Sequence, residues 1–279
     1  MSDESMPIYF KSIASSSNGN CLAIWTENSC VIVDFGLSSM KRCRQAIADH
    51  LPSTVNIDAV VISHTHSDHI SYYPLRVLEG LDCSVRIHQD CIEQLRAKHF
   101  NGYGFGDLDI RPFADDGFQV GDFVFEPFEV SHHPQYPTFG FVIKCTQRAG
   151  TTKIVIATDF NQWQPVLNHF VDADFIFIES NHDHELLRQY YNHNSTYHLP
   201  NPDTASLLCA ARQRSVAPPQ AVMLGHMSPQ RNTREIAIKE VRQAFTSNGI
   251  AMDFDLFAAP LRDASDTIEI MPASKSCPV

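Results

Sequence analysis

His64-Thr65-His66-Ser67-Asp68-His69 is the stretch whose reading organises the rest of this chain. It follows Ile57-Asp58-Ala59-Val60-Val61-Ile62-Ser63, an apolar run that reads as a buried strand. Three imidazoles and a carboxylate within six residues suit a metal site better than an ordinary loop. In extended backbone, residues two apart point the same way, so His64 and His66 can grip one ion. Asp68 and His69 come after the backbone turns and can face a second ion beside the first. Neutral imidazole and carboxylate are ligands for zinc, manganese or iron.

Other polar residues repeat the position of His64. Asp34 ends Val31-Ile32-Val33, His132 follows Val130-Ser131, and Asp159 follows Ala157-Thr158. Glu179 ends an apolar run that begins at Ala173, and His226 follows Leu224-Gly225. Each stands at or just past the C-terminal end of a predicted strand. Singly, such residues are turn formers, helix caps or solvated histidines. A fold that gathers strand ends would bring them to one edge. The spacing predicts helices over 37–50, 73–81, 90–98, 203–214 and 233–247, the first capped by Ser38 or Ser39 and the third by Asp90. It leaves 101–116 as a loop and puts a last strand over 250–257. Strands in each half with helices between them predict an α/β fold of two sheets packed face to face, helices outside. With no repeat or linker visible, 1–279 reads as a single domain. Its core is 8–257, and 260–279 is a loosely ordered tail or an edge strand.

A hydrophobic fraction of 43% supports a real core, and a formal charge of -11 argues against a broadly basic, nucleic-acid-coating surface. It leaves a nuclease open, because metal ions bring local positive charge to an acidic protein. The eight cysteines are scattered with no Cys-x-x-Cys pair, which reads as reduced core thiols of a cytoplasmic protein. Met1-Ser2-Asp3-Glu4-Ser5-Met6-Pro7 lacks the basic-then-apolar pattern of a signal peptide, and no stretch approaches the ~20 apolar residues of a membrane span. The expectation is a soluble, cytoplasmic protein with no membrane partner.

The ordered set of motifs resembles the metallo-β-lactamase-fold hydrolase superfamily. His64, His66, Asp68 and His69 match its His-x-His-x-Asp-His, and His132, Asp159 and His226 match the later His, Asp and His. The resemblance implies an αββα sandwich of two mixed β-sheets with helices on both outer faces. It also implies two divalent metal ions, zinc first, with manganese or iron as alternatives. His64, His66 and His132 would hold one, Asp68, His69 and His226 the other, and Asp159 would bridge them. His132 is preferred over the adjacent His133 because Ser-His directly ends the strand.

Smaller signatures resemble the YycJ (WalJ)-type exonucleases, beside the RNase Z-like phosphodiesterases. They are Ala14-Ser15-Ser16-Ser17-Asn18-Gly19-Asn20-Cys21, Val33-Asp34-Phe35-Gly36-Leu37-Ser38, Glu179-Ser180-Asn181-His182-Asp183, His198-Leu199-Pro200-Asn201 and Gly225-His226-Met227-Ser228. Ser16 and Asn18 depart from that pattern, and Asn192-His193-Asn194-Ser195-Thr196 replaces an expected basic stretch. The resemblance implies a metal-dependent phosphodiesterase or nuclease, a 5′-to-3′ DNA exonuclease using a metal-bridging hydroxide. The partner would be nucleic acid or a small phosphodiester. The alternative is a hydrolase of a small ester, lactone, thioester or cyclic phosphodiester; a noncatalytic protein keeping the fold is a third reading.

For catalysis, Asp68 is the candidate to orient or deprotonate the nucleophile. His198 is the first candidate for general acid and His182 the second, with Glu179 orienting either ring. Asn181-His182-Asp183 reads equally well as a capping turn. Ser15, Asn18, Asn20 and Ser228 could donate hydrogen bonds to the substrate or simply close tight turns. Tyr136, Tyr103 and Phe105 could stack on bases or close a core edge.

Overall fold

The structure is a computed structural model describing residues 6–271. The first five residues of the acidic N-terminal segment, and positions 272–279 of the expected tail with Cys277, lie outside the described residues. Six strands open the first sheet: β1 (Ile8–Ser16), β2 (Gly19–Trp25), β3 (Cys30–Val33), β4 (Ile57–Ile62), β5 (Ser84–His88) and β6 (Ile110–Phe113). The second sheet takes β7 (Phe118–Val120), β8 (Phe123–Glu129), β9 (Phe139–Gln147), β10 (Gly150–Ala157), β11 (Phe175–Glu179), β12 (Ala221–Gly225) and β13 (Asp255–Ala258). A last strand, β14 (Ile268–Ile270), returns to pair antiparallel with β1. The sheet orders are β14-β1-β2-β3-β4-β5-β6 and β13-β12-β11-β10-β9-β8-β7. The helices are α1 (Met40–His50), α2 (Tyr72–Leu78), α3 (Ile92–His99), α4 (Leu167–Phe170), α5 (His184–Gln189), α6 (Asn201–Arg214) and α7 (Arg234–Ser247).

The central strands are apolar at nearly every position because both of their faces are buried. On β11, Phe175 and Phe177 enter the core between the sheets, while Ile176 and Ile178 face the core under α4, α6 and α7. On β10, Ile154 and Ile156 point inward, while Val155 and Ala157 join the outer core. Val155 pairs with Val142 on one side and Ile176 on the other, fixing this alternation across the sheet. From the opposite sheet, the Phe10 ring lies 4.6 Å from that of Phe175 and 5.5 Å from that of Phe177. All seven described cysteines are buried free thiols.

Three sequence expectations shift and a fourth is decided between its alternatives. The loop over 101–116 contains β6, an edge strand whose Pro112 costs no ladder bond at a sheet margin. The strand over 250–257 shortens to β13, because the preceding residues turn toward α7 and Phe254 packs 5.5 Å from Phe245. Asp90 caps nothing: it sits in a 3₁₀ turn, Gln89–Cys91, where the His88 side chain accepts from its N–H. Of the two serines, Ser39 caps α1, accepting from Arg42 N at 3.3 Å.

Candidate metal centre

Strand direction explains why distant polar residues meet. β3 to β6 are mutually parallel, as are β10 to β13. β8 is antiparallel to β9, which is antiparallel to β10, so β8 runs with β10. Residues leaving β3, β4, β8, β10, β11 and β12 therefore emerge at C-terminal strand ends. The two sheets are tied there: Phe139 N–H donates to Ser63 O at 3.2 Å, and His226 N–H donates to Ser15 Oγ at 2.7 Å. Asp34, Asp159 and His226 leave their strands in left-handed backbone, with φ of 58°, 61° and 48°. Such conformations cost on the order of 1–3 kcal/mol each and persist where the surroundings hold them.

The 64–69 motif is gripped by backbone. Asn20 N–H donates to Asp68 O and Phe35 N–H to His69 O, both at 2.8 Å. A Cβ on Gly36 would stand 1.7 Å from Asp68 O, so only glycine lets this turn lie so close. These contacts give physical content to the small-residue turns at 14–21 and 33–38.

His64, His66, His132 and Asp159 converge as one group of donor atoms, and Asp68, His69 and His226 as another. In the first, His64 Nε2 lies 2.9 Å and His132 Nε2 lies 3.3 Å from His66 Nδ1. Asp159 Oδ1 is 3.8 Å from His132 Nε2, while its Oδ2 is 3.1 Å from His69 Nε2 and 3.5 Å from His226 Nε2. Asp159 thus stands between the groups. Asp68 Oδ2 is 3.5 Å from both His69 Nε2 and His226 Nε2. The structure brings His132 into the cluster, not His133, whose ring lies against Tyr136 and Tyr197.

The two groups differ electrostatically. Burial pushes His64 well down and His66 to about 4, each further lowered by neighbouring imidazoles; burial also lowers His132. Their lone pairs are therefore free for a cation. Burial opposes charge on His69 and His226 too. There the surrounding carboxylates win: Asp34, Asp159 and Asp68 raise His69, and Asp159, Asp68 and Glu179 push His226 up to about 10. Asp159 Oδ2 and His226 Nε2 are buried with no hydrogen-bond partner. Converging imidazole nitrogens and orphaned buried atoms on a nitrogen–oxygen donor set fit divalent metal.

An outer layer orients these rings. His69 Nδ1–H donates to Asp34 Oδ2 at 2.7 Å, and Ser63 Oγ donates to the same carboxylate at 2.9 Å. His132 Nδ1–H donates to Tyr197 O at 3.0 Å. Glu179 Oε1 accepts from His226 Nδ1 at 2.8 Å and from His198 Nδ1 at 2.7 Å. Burial alone would raise Glu179; the adjacent His198 and these hydrogen bonds bring it down to about 2. Asp159, Glu179, His198 and His226 also converge, but Glu179 Oε1 is already shared by two imidazoles. That grouping is a hydrogen-bonded brace.

The cluster opens into a polar cavity of ≈ 480 Å³, with His198, Tyr136, Tyr197 and Arg231 among its walls. The substrate candidates divide. Asn18 is exposed at the tip of its turn, and it is Ser17 that lines the cavity. Asn20 lies against the cluster itself, its Nδ2 3.3 Å from Asp68 Oδ2. The Ser15 hydroxyl is occupied by His226 N–H, and the Ser228 hydroxyl is buried without a partner. His182 does not line the cavity; its buried ring faces Asn181 and His184. Of the three aromatic candidates, Tyr136 reaches the cavity, 3.8 Å from the His66 ring, while Tyr103 and Phe105 pack around Tyr72. Ser63 and Arg231 carry no signal in the sequence, and Asp34 stands out there for its place at a strand end and in the 33–38 signature, not as the partner of His69.

Residues 31–227 match the sequence model of the beta-lactamase superfamily domain. The chain is 26% identical to the exodeoxyribonuclease WalJ of Streptococcus pneumoniae serotype 2, over 92% of its own length and 96% of that protein's. It is 26% identical to the exodeoxyribonuclease YycJ of Bacillus anthracis, over 88% of its own length and 92% of that protein's. Among solved structures, the metallo-beta-lactamase fold protein YhfI of Bacillus subtilis superposes with a TM-score of 0.69 at 15% identity, covering 95% of this chain and 99% of that one. The two seven-stranded sheets with helices outside are the metallo-β-lactamase fold. By its matched residues, this chain belongs to the beta-lactamase superfamily.

Proposed function

We propose that this protein is a metal-dependent phosphodiesterase acting on nucleic-acid ends or on small phosphodiesters. The observation that carries the reading is the convergence of the two donor groups on Asp159, beside a histidine braced by Glu179 in the same cavity. Similarity to exodeoxyribonucleases along most of the chain supports the substrate class. His64, His66 and His132 would hold one ion and Asp68, His69 and His226 the other, with Asp159 shared; zinc is the first choice, manganese or iron the alternatives. Divalent ions in such a pair supply Lewis acidity, polarising a phosphoryl oxygen and acidifying water near neutral pH.

The protein groups divide the remaining work. Asp68 lines the cavity and orients the attacking water by accepting its hydrogen bond. Glu179 accepts from His198 Nδ1, leaving Nε2 as the nitrogen that donates a proton to the departing oxygen. Tyr136 lies beside His66 and offers a face on which a base can stack.

A second reading, hydrolysis of a small ester or lactone, is favoured by one observation: the cavity has little positive lining in a chain of formal charge -11. The test is to purify the protein with measured metal content. It is then assayed on end-labelled DNA and RNA, bis(p-nitrophenyl) phosphate and a lactone panel. Diester cleavage that disappears on chelation and in His198→Ala supports the proposal. Lactone turnover with every diester intact overturns it.

A further inference from the structure

Arg231 lines the cavity together with His226, Asp159 and His198, and among the described residues it is the one lysine or arginine that does so. It is partly buried, and its Nε has no hydrogen-bond partner. Its Nη1 donates to Gln230 Oε1 at 3.3 Å, and it forms no ion pair among the described residues. Asp183, whose backbone N–H donates to Arg231 O, turns its carboxylate to α5, accepting from Leu186 N. Burial lowers the Arg231 pKa, and no carboxylate offsets that cost.

What sets Arg231 apart from the other lysines and arginines that form no ion pair is its place on the cavity wall, among the described residues. Arg86 also has an unpartnered Nε, but it lies over the Phe118 ring with Asp109 nearby, outside this cavity. The planar guanidinium fork fits two phosphate oxygens at once.

Resting on the phosphodiesterase reading, we propose that Arg231 binds a substrate phosphate other than the one being hydrolysed. The substrate is then a short or terminal phosphodiester carrying one further phosphate. A polymer tracked along a basic groove would need a row of such cations, whereas the cavity offers one.

The test compares kcat/KM of the metal-loaded enzyme on three dinucleotides: unphosphorylated, 5′-phosphorylated and 3′-phosphorylated. Wild type should prefer one phosphorylated form by about 10-fold or more, the size of a lost charge-assisted contact. Arg231→Gln should reduce that ratio to below about 3-fold, chiefly through KM, and Arg231→Lys should keep part of it. The lysine variant carries the test if the glutamine variant does not fold. An absent preference in wild type, or one that survives in Arg231→Gln, overturns the inference while leaving the phosphodiesterase reading standing. An equal loss on all three dinucleotides also overturns it, since it would put Arg231 on the scissile phosphate. Cleavage of none of the three by wild type overturns the inference, and overturns the phosphodiesterase reading as well only if end-labelled DNA, RNA and bis(p-nitrophenyl) phosphate also stay intact.

Discussion

The two walls of the cavity hold their side chains differently. On the strand-end wall, Asp159 and His226, with His64 and His69 behind them, are at most 1% exposed, and outer groups such as Asp34, Ser63 and Glu179 fix several of the rings. On the other wall, Asn194 is exposed and Asn192 half-buried. Asn192 caps, and Asn194 belongs to, a 3₁₀ turn, His193–Tyr197, where Asn194 N–H donates to Asn192 Oδ1 at 3.0 Å. Rigid strand ends can keep donor atoms within a few tenths of an ångström, which a metal requires. A polar turn on the opposite side can vary its side chains without disturbing that geometry. Chemistry should therefore be brittle on one wall and substrate choice adjustable on the other.

The most severe way to probe this contrast is at Asp159, which stands between the two donor groups. Asp159→Asn should lower kcat by about 10³-fold or more and reduce the metal retained after dialysis. Elemental analysis beside steady-state kinetics checks it. Full metal content with near-normal turnover would remove Asp159 from the centre.

Next in size is His198→Ala, which should cost about 10²–10⁴-fold in kcat while metal content is kept, as expected for a proton donor. A leaving group that departs readily without a proton, such as p-nitrophenolate, should show a smaller loss than an alkoxide. Equal losses on both would make His198 a structural brace.

The outer layer comes third. Asp34 and Glu179 occupy matching places: each ends or follows a strand, and each accepts from the Nδ1 of a histidine whose Nε2 faces Asp159. Asp34→Asn and Glu179→Gln should each weaken metal binding or activity by about 10–100-fold. Metal titration against a chelating indicator would measure it. Glu179→Gln should cost more in kcat, because it also releases His198.

How much of this could be read from the sequence follows the same division. The 64–69 motif is local, and its neighbours at 132, 159 and 226 repeat one position at strand ends, so both were legible. Asp34 was legible as a strand end but not as the partner of His69, because that role depends on β3 lying beside β4. Asn20 was read as a substrate contact; that its amide instead rests on Asp68 depends on the turn folding over the motif. Ser17 and Asn18 are chemically alike as turn residues, so only the turn's orientation decides which faces the cavity. In the fold, β6 was hidden because an edge strand containing proline gives little alternation, and 250–254 misled because apolar spacing reports burial rather than ladder pairing. Arg231 was invisible for the opposite reason: its importance lies in a missing partner, and a missing partner can be seen only in three dimensions.

The smallest expected effect belongs to the adjustable wall. Asn194 is exposed, and its backbone N–H rather than its side chain stabilises the local turn. Asn194→Ala should leave the melting temperature within the range of neutral surface changes, ~0.5 kcal/mol, and alter kcat/KM by less than about 3-fold. What should change is the ranking of substrates, since Asn194 lines the same cavity as the donor groups and Arg231. Measuring kcat/KM on a panel of diesters with different leaving nucleosides would separate the possibilities. A uniform 100-fold loss would mean that the turn is as brittle as the strand ends and that the two walls form one preorganised unit. A reordered panel at nearly constant kcat would place substrate selection in 192–197, where the expected basic stretch has been replaced by asparagine, histidine, serine and threonine.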